Sequence, residues 1–340
     1  MNGFVRLAAL ALAVSAGLPS VAGAQLQEVR DASRTPGWTV TPIFGLSSAW
    51  DDNVSMVGAG EPASSDVITL FSPSIEADYL GKRNWLGAGY RGSFSVYRQL
   101  NDLNSFEQHL RVDSRHQMTK RLTLSLHESF AAVPTTDAVL LSGVPFLRTG
   151  SRVNDTGASL RAEVGPHTTA SMGYSFTWVA FDPESPFADL LKGGHGHSVD
   201  GNVVRRLSSR LSVGAEASFR RLIIDPSEPV SIFDTGATMS FEGTKTLTLS
   251  AALGISRVTD AVRDTTKTGP AWRVAALQRF ERATLTASWA RSFAPAFGLG
   301  GSVQNEELNA SLMMPVARNR LYWQAGLSYR RNEPLLPDGL

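Results

Sequence analysis

Cysteine is absent from this sequence. The absence excludes disulfide staples, thiolate metal sites, a cysteine nucleophile and a lipid-modified cysteine at a leader cleavage site, and points to a fold closed by backbone hydrogen bonds. Long apolar runs are missing too. The only continuous one, Leu7 to Val14, falls well short of the roughly 20 residues that a membrane-spanning helix needs. Neither sign of charge dominates: 32 Lys+Arg stand against 31 Asp+Glu. A neutral balance gives no reason to propose nucleic acid, which selects a basic face, and no nucleic-acid partner is expected. Mean hydropathy is -0.08 with 42% apolar residues. That is too polar for a helical membrane protein, but not for a wall with water on one side.

The short apolar run has a use of its own. It follows Arg6 and leads to Ala22-Gly23-Ala24, the small-x-small pattern of a signal-peptidase site. Residues 1–24 are expected to be a secretory signal peptide and 25–37 a periplasmic leader. Loss of Arg6 leaves 31 basic and 31 acidic residues in the mature chain.

What the chain does have is alternation. Segments of about ten residues with period-two polarity recur from Trp38 to Arg330, the length and pattern of tilted strands that cross a bilayer. Their cores fall at 38–50, 66–80, 85–98, 105–117, 121–132, 152–164, 168–181, 196–207, 210–223, 231–242, 246–258, 269–280, 283–294, 304–316 and 320–331. Tight polar turns such as Gly81-Lys82-Arg83-Asn84 and Gly165-Pro166-His167 alternate with loops that are mostly longer, such as 51–65, 133–151 and 182–195. Short periplasmic turns and long outer loops produce that alternation in an outer-membrane barrel, with the N-terminus in the periplasm. The predicted fold class is all-β, a transmembrane antiparallel up-and-down β-barrel over residues 38–331, with a tail at 332–340.

The strand faces differ sharply. Leu211, Val213, Ala215, Ala217 and Phe219 oppose Ser212, Gly214, Glu216, Ser218 and Arg220, and Phe106, Leu110 and Val112 oppose Glu107, His109, Arg111, Asp113 and Arg115. A one-residue slip would expose the second set to lipid, at about 2–4 kcal/mol per basic residue near the midplane. Aromatic residues near strand ends, among them Trp38, Trp50, Tyr79, Trp85, Tyr97, Trp178, Phe181, Phe280, Trp289, Tyr322 and Tyr329, are read as interfacial girdles.

Trp38-Thr39-Val40-Thr41-Pro42, Trp50-Asp51-Asp52-Asn53-Val54, Leu141-Ser142-Gly143-Val144-Pro145-Phe146, Gly150-Ser151-Arg152-Val153-Asn154-Asp155 and Asn305-Glu306-Glu307-Leu308 together resemble outer-membrane β-barrel porins of Gram-negative bacteria, a family often linked with exopolysaccharide or extracellular-matrix export. The resemblance implies a large barrel in the outer membrane and a polysaccharide-linked role. It brings no catalytic residues. Partners that follow are outer-membrane lipid and lipopolysaccharide, the barrel-assembly machinery, and polar solutes or polysaccharide. One departure stands out: a bacterial barrel is expected to have an even strand number, whereas fifteen is odd and the segment 334–340 carries neither a final amphipathic strand nor a terminal aromatic. Either one strand is miscounted or strands are missing at the C-terminus. The expectation is truncation of a barrel of roughly 16–18 strands.

Catalytic and metal constellations are weak. His109, His116 and His127 lie near acidic or hydroxyl residues, as a polar lumen would arrange by chance. His195-Gly196-His197 is read as a solvated loop end lacking a third ligand, and Asp51-Asp52-Asn53 as a solvated turn lacking the other ligands of a calcium loop. No enzyme activity, metal or cofactor is expected. The remaining site is the lumen, lined by Arg91, Glu107, Arg111, Asp113, Arg115, Arg161, Glu163, Glu216, Arg220 and Arg273, with Glu76, Asp78, Asp200, Arg206 and Arg279 beside them. Mixed charges can line a selective water-filled pathway, or pair across strands and fill a narrow interior. Val139–Leu147 is apolar enough either to fold inward as a constriction or to contact a partner. The leading function is a porin-like channel; the alternative is a structural or interaction barrel of an envelope complex without an open pore, and an enzyme comes third.

Overall fold

The computed structural model describes residues 36–52, 54, 64–135, 149–185, 191–224, 229–260, 265–295, 302–316 and 321–334. The segments read as signal peptide and most of the leader, and Val139–Leu147, lie outside the described residues. Fifteen strands form one sheet in sequence order: β1 Gly37–Asp51, β2 Asp66–Leu80, β3 Asn84–Tyr97, β4 Ser105–Thr119, β5 Leu122–Val133, β6 Ser151–Gly165, β7 Thr168–Phe181, β8 Gly194–Arg206, β9 Leu211–Ile224, β10 Val230–Glu242, β11 Leu247–Asp260, β12 Thr265–Arg279, β13 Thr284–Pro295, β14 Ser302–Val316 and β15 Leu321–Pro334. Every neighbour is antiparallel. The architecture is the all-β, up-and-down one predicted. A single 3₁₀ turn, Asn101–Leu103, is the only helical element among the described residues, and no helix there is long and apolar enough to cross a membrane. β1 and β15 each pair on one side only among the described residues.

Period-two alternation fixed most strand positions within two residues. β15 and β12 are the exceptions: β15 runs to Pro334, into the segment read as a tail from 332, and β12 begins at Thr265 rather than near residue 269, ahead of Pro270. Its ladder to β11 runs through Ile255–Pro270, whereas its ladder to β13 stops at Trp272–Arg291. A residue with no N–H interrupts hydrogen bonding on one side of a strand and leaves the other free to continue. Beyond Arg291, β13 leaves β12 and its Phe293 packs inward.

That departure reveals the curvature. Strands spaced about 4.8 Å apart would place β9 and β13 roughly 19 Å from each other in a flat sheet, far beyond one arginine side chain. Yet Arg220 on β9 donates from Nη2 to the carbonyl oxygen of Phe293 on β13 at 3.2 Å. Between these strands the sheet therefore curls, and the face carrying Arg220 is concave. Glycines permit the bend. Gly236 and Gly254 pair directly on that face, and a Cβ on Gly254 would lie 2.0 Å from the Thr235 carbonyl oxygen.

The buried core sits at the long-loop end of the concave face. Val179, Leu222, Ile224, Val230, Ile232, Val258 and Phe293 form one cluster, with Val153 and Phe181 packed against it. Each fully buried apolar side chain of this size contributes about 1.5–3 kcal/mol. At the same end, Asp66 accepts backbone N–H bonds from Gln99 and Leu100 at 2.9 and 2.8 Å, tying β2 to the β3–β4 connection.

Candidate solute pathway

Directly paired residues in an antiparallel ladder share a face, so the register carries one face across the whole sheet. A single row runs Asp113, His127, Gly157, Ser175, Ser198, Arg220, Ile232, Val258 and Lys267 from β4 to β12. Toward β2 the same face continues from Arg111 and Asp113 through Gly89 and Gly87 to Glu76 and Asp78. Arg91, Glu107, Arg111, Asp113, Arg115, Arg161, Glu163, Glu216, Arg220 and Arg273 all fall on this inner face, as do Asp200, Arg206 and Arg279. The rest of it is mainly serine, threonine, asparagine, glycine and alanine. The opposite face carries Trp38, Phe44, Leu46, Met172, Leu253 and Leu327, all more than 60% exposed.

The inner face divides into two charged walls. On β3 to β7, Glu107 contacts the His109 ring and Arg111 pairs with Asp113 along the same strand. The Arg115 guanidinium lies 5.6 Å above the Trp85 ring. Asp155 contacts His127 Nε2 at 2.7 Å and accepts from the Thr177 hydroxyl at 2.6 Å. Arg161 and Glu163 stand exposed with no ion-pair partner among the described residues. These groups face solvent enough that each pair contributes only about 0–1 kcal/mol.

The second wall, β9 to β12, is better connected. Asp234 on β10 accepts from Arg220 at 2.8 Å and from Ser218 at 3.2 Å, and also from Ser256. Arg273 on β12 reaches Glu216 on β9 at 3.2 Å, across three strand spacings. The polar layer lies directly beneath the apolar cluster, so toward the loop end the wall runs from Glu216 and Arg273 to Arg220 and Asp234 and then to Ile232, Val258 and Phe293. Periodicity missed this apolar layer because it breaks the alternation. Both faces turn apolar at Leu222-Ile223-Ile224 and at Ile232-Phe233, next to the loops, and that doubling was the available signal.

No family model matches this chain, and no curated protein does. Solved structures with a similar course of chain include a mutant ferric enterobactin receptor of Pseudomonas aeruginosa in complex with enterobactin, at 12% identity and TM-score 0.49, covering 87% of this chain and 58% of that one. The ferric-catecholate import receptor Fiu of E. coli K12 matches at 9% identity and TM-score 0.42, covering 87% and 60%. The ferric citrate transporter FecA matches at 10% and 0.46, covering 88% and 52%. The chain thus spans less than two thirds of the length of each of these structures.

Two placements differ from expectation. His195 and His197 lie within β8 on the outer face, not at a loop end, since Trp178–His195–Ile223 and Phe176–His197–Arg221 are paired rows. Of the aromatic residues read as girdles, Trp85, Tyr97 and Phe181 turn to the inner face: Trp85 pairs with Arg115, Tyr97 with Ile68, and Phe181 joins the apolar cluster. Strand propensity favours aromatics at either face, and strand-end position alone does not set parity. Trp38, Trp50, Trp178, Phe280, Trp289 and Tyr329 are exposed, on the outer side. Among the described residues, no group of three or more His, Cys, Asp or Glu side chains is placed to hold a metal.

Proposed function

We propose that this chain builds the wall of an outer-membrane β-barrel whose polar, mixed-charge inner face conducts small polar solutes by diffusion, without covalent chemistry. One observation carries the reading: the register sorts most strand charges to one face and leaves large apolar side chains exposed on the other. A continuous exposed apolar surface of this extent needs a nonaqueous neighbour, and a sheet in lipid satisfies its backbone only if the edges of β1 and β15 are covered. Planar-bilayer recording on the refolded full chain tests the proposal. Reproducible conductance steps with ion selectivity that shifts on Glu216→Gln support it; a folded, inserted and electrically silent protein overturns it.

A second reading, a structural barrel without an open pore, is favoured by the apolar cluster around Phe293 and Ile232 that covers part of the inner face at the loop end. The silent outcome of the same recording supports that reading. The finer form of the first proposal is passage of a surface polysaccharide, drawn from the sequence resemblance. Sugar hydroxyls would exchange hydrogen bonds with inward rows such as Ser159, Ser171, Asn202 and Ser218. Block of the current by neutral oligosaccharides tests it, and an unaffected current removes the polysaccharide clause.

A further inference from the structure

Acidic side chains are distributed with an asymmetry that the pore does not require. In β6 to β12, Asp155, Glu163, Asp200, Glu216, Asp234, Glu242 and Asp260 all occupy inner-face positions. The outer face of these strands carries no carboxylate. It does carry basic side chains, mostly toward the long-loop end: Arg152 on β6, His195 and His197 on β8, Arg221 on β9 and Arg257 on β11. His197, Arg221 and Arg257 are exposed, and neither arginine has an ion-pair partner among the described residues.

His197 and Arg221 are direct cross-strand partners. The Arg221 guanidinium and the His197 ring thus stand side by side on a face without carboxylates, where both can donate to one anion. The Tyr174 hydroxyl lies 2.8 Å from His197 Nδ1 and Phe176 packs at 5.2 Å from the same ring. With the hydroxyl donating to Nδ1, the Nε2–H of that ring is left to donate to an outside acceptor. Below this group Val199, Phe219 and Phe233 stay exposed, forming a surface that suits acyl chains.

We propose that His197 and Arg221, with Tyr174 beside the imidazole, form a seat for the phosphate of an anionic lipid headgroup in the leaflet at the loop end. Charge-assisted hydrogen bonds from both side chains hold the phosphate oxygens, while the lipid tails lie along the apolar belt beneath. The proposal rests on the membrane reading above and adds a lipid class and a location to it.

The test uses the full chain refolded in detergent and native mass spectrometry with diphosphorylated lipid A or its dephosphorylated form as probe. The wild type should retain the phosphorylated lipid, and the double variant His197→Gln/Arg221→Gln should retain it at least about tenfold less well. Arg205→Gln, on the same face at the opposite end, should match wild type, and circular dichroism with thermal melting confirms that each variant is folded. Inorganic phosphate at millimolar concentration should not displace the lipid, since it lacks the tails. Equal retention of both lipids, or no loss in the double variant, overturns the seat while leaving the barrel intact. Failure of the wild type to enter bilayers at all overturns both readings and is recognised by flotation with empty vesicles.

Discussion

Replacement of Phe293 by alanine separates a narrowed channel from an open one. Phe293 is 3% exposed and packs in the cluster with Ile232 and Val258. Truncating a buried phenylalanine costs about 3–5 kcal/mol, which alone would shift an inward–outward equilibrium of the β13 end by roughly two to four orders of magnitude. The variant keeps one tether, however. Arg220 binds the backbone carbonyl of residue 293, and a hydrogen bond from a charged donor contributes about 1.5–3 kcal/mol. Phe293→Ala should therefore raise single-channel conductance only partly, and Phe293→Ala/Arg220→Met should raise it further and lengthen the open periods. The recordings are made in planar bilayers on protein whose fold is checked by circular dichroism. Identical conductance and open times for wild type and both variants, with both melting as wild type does, would refute the assignment of Phe293 to the narrowing.

Four further outcomes follow from the same geometry. Leu253→Arg on the outer face, 62% exposed at mid-strand, should cost about 2–4 kcal/mol in refolding into lipid vesicles, whereas Ser250→Arg on the inner face should be close to neutral. Gly254→Val should destabilise by at least about 1–3 kcal/mol through its clash with the Thr235 carbonyl, while Gly201→Ala, whose nearest neighbour would be 3.7 Å away, should be tolerated in urea titration. A double-mutant cycle of Arg220→Met and Asp234→Asn should give a coupling of roughly 0.5–1 kcal/mol, reduced by the part-exposure of both groups. Arg273→Gln leaves Glu216 without its cross-wall cation, and reversal potentials in a salt gradient should move toward cation preference.

The strand count, the strand positions and the identity of the charged face were all legible from residues such as Phe106 to Arg115, because each strand separates an apolar set from a charged one at period two. The roles of individual inner-face residues were not. Arg220 and Arg273 look alike in sequence, yet one ties β9 to β10 and β13 while the other reaches Glu216 across three strands. Those contacts depend on how sharply the sheet curls, which period-two patterning does not encode. His195 and His197 were misread because Gly193, Gly194 and Gly196 look like loop, although glycine also serves within strands where a neighbouring backbone approaches closely.

By itself the sequence determined that fifteen ribbons would lie side by side with most charged side chains on one surface and most large apolar groups on the other, since a slipped register would strand charge among apolar neighbours. Only the tertiary structure decided that β13 would abandon β12 beyond Pro270 and press Phe293 against Ile232. It also decided that His197 and Arg221 would meet on the outer surface. Both depend on distances between residues far apart in the chain, and those distances follow from curvature and pairing rather than from local pattern.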